Sequence, residues 1–222
     1  MRELGMFAKF WAPGEVKTRL AAAIGLEPAA RLHRAFLQTL VERFAGAGDR
    51  RTLVFSPAHK RAEFQTLGAA SWRLQPQPAG DLGRRMQAYF ESAFAAGAER
   101  VVLIGSDSPT LPASYVESAF ELLQGRPVVL GPAADGGYYL VGASRKPPPI
   151  FEGVAWSQPS VFAETAEKLA AARLEFATLP GWYDVDAVED LRRLHDELSA
   201  GAEESAATLA LRRAVDQALG TK

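Results

Sequence analysis

Carboxylates and cations gather in five short stretches of this chain, each containing small residues that let a ligand come close. Gly105-Ser106-Asp107-Ser108-Pro109 directly follows Val101-Val102-Leu103-Ile104, the clearest strand in the sequence. A carboxylate just beyond a buried strand faces the ligand side of an α/β sheet. Its hard oxygens suit Mg²⁺ or Mn²⁺ bridging substrate phosphates. The structural role that competes for Asp107 is capping a helix that begins near Pro109 or Pro112. Earlier in the chain, Pro13-Gly14-Glu15-Val16-Lys17-Thr18-Arg19-Leu20 places a glycine ahead of two cations at a helix start. Backbone can approach a ligand closely at Gly14, while Lys17 and Arg19 suit phosphate oxygens. A solvated basic turn is the plainer reading. The Gly-Lys-Ser/Thr run of a Walker loop is missing.

Three further stretches carry acids. Ala133-Ala134-Asp135-Gly136-Gly137-Tyr138-Tyr139 reads as a hairpin turn, but a second glycine and two aromatics suggest a lined pocket. There Asp135 is a candidate to activate or orient an acceptor. Gly181-Trp182-Tyr183-Asp184-Val185-Asp186 sets two carboxylates on one side of an extended chain. Asp186 also occupies a position suited to capping the helix after it. Asp184-Val185-Asp186-Ala187-Val188 resembles the nucleophile motif of haloacid-dehalogenase-type phosphatases, which raises covalent phosphoryl transfer. That motif belongs on a first strand, and here little but helix follows it. Gly80-Asp81-Leu82-Gly83-Arg84-Arg85 starts a helix with Asp81 as cap, and its glycines leave room for a planar ring. His33, His59 and His195 stand isolated, without a metal or triad partner at a recognisable spacing. No Gly-x-Ser-x-Gly elbow is present, which argues against a serine hydrolase.

Positioning these groups requires a sheet. Short β-like runs at Met6–Ala8, Thr52–Phe55, Trp72–Leu74 (an edge strand), Val101–Ile104, Val128–Leu130, Tyr138–Val141 and Leu174–Leu179 alternate with helical patterns. The helices carry Phe36, Leu37, Leu40, Val41 and Phe44; the weaker stretch 62–67; Met86, Tyr89, Phe90 and Phe94; 112–123; 159–172; and the segment after Asp186. The pattern predicts an α/β fold, a three-layer α/β/α sandwich with a mostly parallel mixed sheet, in one domain over 1–222. It ends in an amphipathic helix at about 202–219, whose stripe of Leu211, Val215, Ala218 and Leu219 packs on its own domain or on a second subunit as a homodimer.

The 222 residues suffice for a core without staples, and zero cysteines removes thiol nucleophiles, iron–sulfur clusters and Cys-bound zinc. With 25 Lys+Arg against 26 Asp+Glu, the net charge of −1 advertises no nucleic-acid surface. No apolar run approaches a membrane span of ~20 residues, and Met1–Lys9 is charged too early for a signal peptide. A cytoplasmic protein is expected.

Taken together, Phe7-Ala8-Lys9, the 13–20 loop, Gly80-Asp81-Leu82, Gly105-Ser106-Asp107-Ser108-Pro109, Asp135-Gly136-Gly137-Tyr138-Tyr139 and Asp184-Val185-Asp186 resemble one family. It is a bacterial branch of the nucleotide-diphospho-sugar transferase (GT-A) superfamily, usually labelled glycosyltransferase. The first loop is also similar to that of small guanylyltransferases. The resemblance runs from about Met6 to Leu191. It implies a metal-dependent transferase acting on a nucleotide or nucleotide-sugar and a small-molecule acceptor. Ala8, Lys9, Pro13, Gly14, Lys17, Arg19, Gly80, Asp81 and Leu82 would contact the nucleotide. Asp107, with Asp184 or Asp186, would hold Mg²⁺ or Mn²⁺; Lys17, Arg19, Asp107 and Asp135 would carry the reaction. A lone Asp107 replaces the Asp-x-Asp of glycosyltransferases and leans toward nucleotidyl transfer, while the family label favours glycosyl transfer. A phosphohydrolase and a non-catalytic nucleotide-binding module are the alternatives.

Overall fold

A computed structural model describes residues 1–67, 70–201 and 205–220. Its elements are β1 (Arg2–Lys9), α1 (Thr18–Ile24), α2 (Leu26–Arg43), β2 (Arg50–Ser56), α3 (Arg61–Gln65), β3 (Arg73–Pro76), α4 (Leu82–Ala95) and β4 (Arg100–Ile104). Then follow α5 (Ala113–Leu122), β5 (Val128–Pro132), β6 (Tyr138–Ser144), α6 (Val161–Ala171), β7 (Phe176–Thr178), α7 (Val188–Ala200) and α8 (Ala206–Leu219).

The seven strands form one sheet in the order β3-β2-β1-β4-β6-β5-β7. β6 runs antiparallel to β4 and β5, and the other pairings are parallel. β4 is the middle strand, and its alternate residues feed two cores: Val102 and Ile104 on one face, Val101 and Leu103 on the other. This is why its sequence is apolar at successive positions. The first face packs with Leu37, Leu40 and Phe44 of α2, Phe64 of α3 and Phe120 of α5. The second packs with Tyr89 and Phe90 of α4 and Leu169 of α6. The sandwich is therefore three layers deep with a mostly parallel mixed sheet.

Several boundaries differ from the sequence expectation. β1 starts at Arg2, because Glu3 is buried beside Arg50 of the adjacent strand. α2 starts at Leu26 and takes Pro28 into its first turn, where a missing N–H costs nothing. β7 is three residues long, since Leu174 still bonds back to the end of α6 through Leu169. Of the tail helix expected at 202–219, residues 202–204 lie outside the described residues and α8 begins at Ala206. Leu211 and Val215 of α8 pack with Leu32 and Phe36 of α2 and Leu194 and Leu198 of α7, so the chain covers that stripe itself. No helix among the described residues is long and apolar enough to cross a membrane.

Candidate active site

Parallel strands β1 and β4 end on the same side of the sheet, β1 running three residues past the Met6–Ile104 pair, and the loops after them carry the charged groups. Asp107 lies three residues beyond β4. It does not cap α5, whose N-cap is Pro112 without a side-chain bond. The late acids reach it through backbone pairing. Trp182 donates to Pro132 O at 3.1 Å and accepts from Ala134 N–H at 3.0 Å, extending the sheet past β5. Val185 N–H then bonds to Asp107 O at 2.9 Å, which brings Asp184 and Asp186 alongside.

Lys17 stands among these acids. Its Nζ lies against Asp107 Oδ1 and 2.9 Å from Asp186 Oδ1. The lysine side chain is only 3% exposed, whereas those of Asp107 and Asp186 are 43% and 39% exposed. Burial acts to lower the Lys17 pKa, but the two carboxylates outweigh it and raise the value above the ordinary lysine range. For Asp107, burial pushes upward, and the Lys17 ammonium holds it below the usual carboxylate range. Asp184 accepts from Ser108 Oγ at 2.5 Å. Burial first, and the neighbouring charge of Asp107 second, push its pKa up to about 6.

His33 of α2 belongs to this cluster, which corrects the expectation that it is isolated. Its Nε2 lies 3.1 Å from Lys9 O, an acceptor, so Nε2 carries the proton. The buried Nδ1 has no hydrogen-bond partner and faces Asp107 Oδ1 at 3.9 Å. Burial keeps the ring neutral by lowering its pKa, against the pull of Asp107. No sequence spacing points to this contact, because it joins a helix interior to a loop more than 70 positions later.

A cavity of about 280 Å³ opens beside the cluster, lined by Ala8, Lys9, Gln77, Leu82, Asp107 and Tyr138 among others. A larger hollow of about 390 Å³ lies near Arg126, Arg145 and Lys146, where β5 begins and β6 ends. It occupies the strand-start end of the sheet, away from the acids and from the end where α/β ligands bind.

The remaining expected residues are placed as follows. Gly80 and Asp81 directly precede Leu82, and Asp81 caps α4, its Oδ1 accepting from Arg84 N–H at 2.8 Å. Gly83, one residue on, has no side chain to block the approach of Phe151 and Trp156. Pro13 and Gly14 are exposed in the first loop and do not line the cavity. Arg19 is exposed on α1, with no ion pair to the acids among the described residues. Asp135 turns inward on its own loop, accepting from Gly137 N–H at 2.9 Å, yet its charge still reaches Asp184. Asp186 does not cap α7: the N-cap is Ala187, and Asp190 reaches back to the N–H groups of Ala187 at 2.8 Å and Asp186 at 3.1 Å. Ser108, which donates to Asp184, and Gln77, which lines the cavity, are neighbours of the candidate site that the sequence did not single out. Ser108 was legible only as the small neighbour of Asp107.

The donor chemistry fits a divalent cation. Asp107, Asp184 and Asp186 offer hard oxygens, and the repulsion between Asp107 and Asp184 is of the kind a cation relieves. As they stand, no three acidic or histidine residues are gathered into a metal-ligand group among the described residues. Lys17 lies between two of the acids instead.

The three-layer fold is that of nucleotide-diphospho-sugar transferases, and the chain is similar to transferases. The chain belongs to the DUF2064 family, described as an uncharacterized protein conserved in bacteria, whose model matches residues 39–158. It is 35% identical over 130 residues to a 3-phospho-D-glycerate guanylyltransferase of Phenylobacterium zucineum (strain HLK1), covering 54% of this chain and 57% of that enzyme. It is also similar to a crystal structure from Desulfovibrio desulfuricans G20, provisionally described as a nucleotide-diphospho-sugar transferase. That match has a TM-score of 0.89 and 35% identity, over 98% of this chain and 97% of the other. A nucleotidyl transferase from Methanothermobacter shares the fold alone, at TM-score 0.59 and 15% identity over 87% of this chain and 96% of that one.

Proposed function

We propose that the protein is a nucleotidyltransferase that takes a nucleoside triphosphate, with guanosine triphosphate as first candidate, and a phosphorylated hydroxy acid as acceptor. An acceptor phosphate oxygen attacks the α-phosphorus, the bond from that phosphorus to the bridging oxygen breaks, and pyrophosphate leaves. A phosphate acceptor arrives with a charged oxygen, so the step needs no strong base and Asp135 serves to orient. Asp107 with Asp184 and Asp186 would hold Mg²⁺ or Mn²⁺, which when bound neutralises phosphate charge as the bond breaks. Leu82, Ala8 and Gln77 would enclose the base in the cavity they line. Lys9, Gly80, Asp81, Pro13, Gly14 and Arg19 belong to the nucleotide's surroundings in this reading.

The observation that carries the reading is the single Asp107 after the central strand, with Asp184 and Asp186 brought alongside it by the Val185–Asp107 backbone bond and one buried lysine bridging Asp107 and Asp186. The similarity to the guanylyltransferase supports the choice of chemistry. The second reading, glycosyl transfer from a nucleotide-sugar, is favoured by the description of the Desulfovibrio relative.

The test incubates the protein with each nucleoside triphosphate, Mg²⁺ or Mn²⁺, and 3-phosphoglycerate or other phosphorylated hydroxy acids. Pyrophosphate release that depends on the acceptor is expected. Release of a nucleoside diphosphate from a nucleotide-sugar, with no pyrophosphate from any triphosphate, would move the assignment to the second reading.

A further inference from the structure

Lys17 is the one cation buried in the acidic cluster among the described residues, and its position differs from that of a residue waiting for phosphate. The side chain is sealed from solvent while its two carboxylate partners are partly exposed, Asp107 on the wall of the cavity. Behind it stands the Phe36 ring, with Nζ 5.6 Å from the ring centroid. Its backbone adopts φ 48° and ψ 42°, a left-handed conformation that a residue with a Cβ holds only when its surroundings impose it. In that conformation the side chain reaches both carboxylates, and no side chain caps α1 there.

We propose that Lys17 is a positioning residue whose ammonium stands in for the divalent cation between Asp107 and Asp186. Lys17 and the metal then exclude each other from those carboxylates, and metal binding unlocks the first loop. The inference rests on the metal-binding part of the proposed function. An ammonium and a divalent cation repel each other when held on the same carboxylate oxygens. With the lysine in place, Nζ occupies the space between Asp107 and Asp186. With the lysine displaced, Asp107 and Asp186 can turn toward Asp184, and residues 10–17 lose their link to the acids. A lysine that served only to support the loop would act in the opposite direction: its removal would disorder the acids and weaken metal binding.

The sign of the change separates the two. Protein stripped with EDTA is titrated with Mn²⁺ alone, free Mn²⁺ being read by electron paramagnetic resonance. Lys17→Met is expected to bind about tenfold or more tightly than wild type, because a competing unit charge beside the site is gone. Mn²⁺ should also raise the melting temperature of Lys17→Met more than that of wild type. Lys17→Arg, which keeps the charge, should remain close to wild type. Equal or weaker Mn²⁺ binding by Lys17→Met overturns the proposal, as does absence of Mn²⁺ binding in both proteins. If Lys17→Met does not fold, wild type alone decides, by hydrogen exchange over residues 10–17. Faster exchange with Mn²⁺ supports displacement of the lysine, and unchanged or slower exchange overturns it. None of these measurements uses a nucleotide. A failed transfer reading would show instead as missing pyrophosphate release, leaving the Mn²⁺ result standing.

Discussion

Two buried charge clusters sit at opposite ends of the same sheet, and they are built on different plans. At the strand-start end, Glu3 is 3% exposed and accepts from four side-chain donors. Arg50 donates to Oε2 through Nε at 2.6 Å and through Nη2, while Thr52 Oγ1 at 2.9 Å and the Tyr89 hydroxyl at 3.1 Å donate to Oε1. One carboxylate meets one guanidinium and two neutral hydroxyls, so the cluster closes on itself. At the strand-end side, one ammonium serves Asp107 and Asp186, with Asp184 held beside them. That cluster carries surplus negative charge, leaves two carboxylates partly exposed, and includes a histidine nitrogen without a hydrogen-bond partner. A satisfied network makes a rigid core; a surplus of one sign at a cleft is where a ligand of opposite charge is expected.

Breaking each cluster should therefore produce opposite signatures. Glu3→Gln is expected to cost about 3–5 kcal/mol of stability, because Arg50 is left as an uncompensated buried charge. Urea unfolding measures this, and turnover per folded molecule should hold near wild type. A loss below about 1 kcal/mol would mean that the guanidinium finds water, placing the pair in the surface class. Next in size, Asp107→Asn should lower acceptor-dependent pyrophosphate release by on the order of 10²–10³, the range seen when one preorganised electrostatic group is lost. Its effect on urea stability should be smaller than that of Glu3→Gln, since Lys17 keeps Asp186 and the Asp107 side chain is 43% exposed. Equal destabilisation by the two variants would dissolve the contrast.

How much of this was legible depends on whether a signal is local. β4 is readable because a strand covered on both faces must be apolar at every position, and Asp107 is readable because it follows that strand. The first half of β1 is hidden, since Arg2 and Glu3 look like solvent-facing residues until Arg50 is brought alongside. His33 has the same difficulty: its meaning comes from Asp107, supplied by another element. Lys17 was visible as a cation at the right loop, but not as a buried one, because burial depends on where Asp186 arrives. The capping expected of Asp186 falls to Asp190, four positions further on, where the chain has room to turn back. Sequence spacing captures strands, turns and local caps; it does not reveal which charges the fold brings face to face.

The smallest expected effect probes how the closed cluster is assembled. Gly5 lies on β1 two residues after Glu3, and Tyr89 of α4 crosses beneath it to reach the Glu3 carboxylate. A Cβ at position 5 would fall inside the contact radius of the Tyr89 hydroxyl and ring, so the glycine is required by close approach. Gly5→Ala should force the ring aside and cost about 1–3 kcal/mol, as overpacking in a filled core does. Tyr89→Phe alone should cost about 1 kcal/mol for the lost hydrogen bond. In the double variant that bond can be lost only once, so the two effects should sum to less than their parts. Strict additivity in urea unfolding would show that Gly5 acts through something other than Tyr89, and that the Glu3 cluster does not depend on its fourth donor.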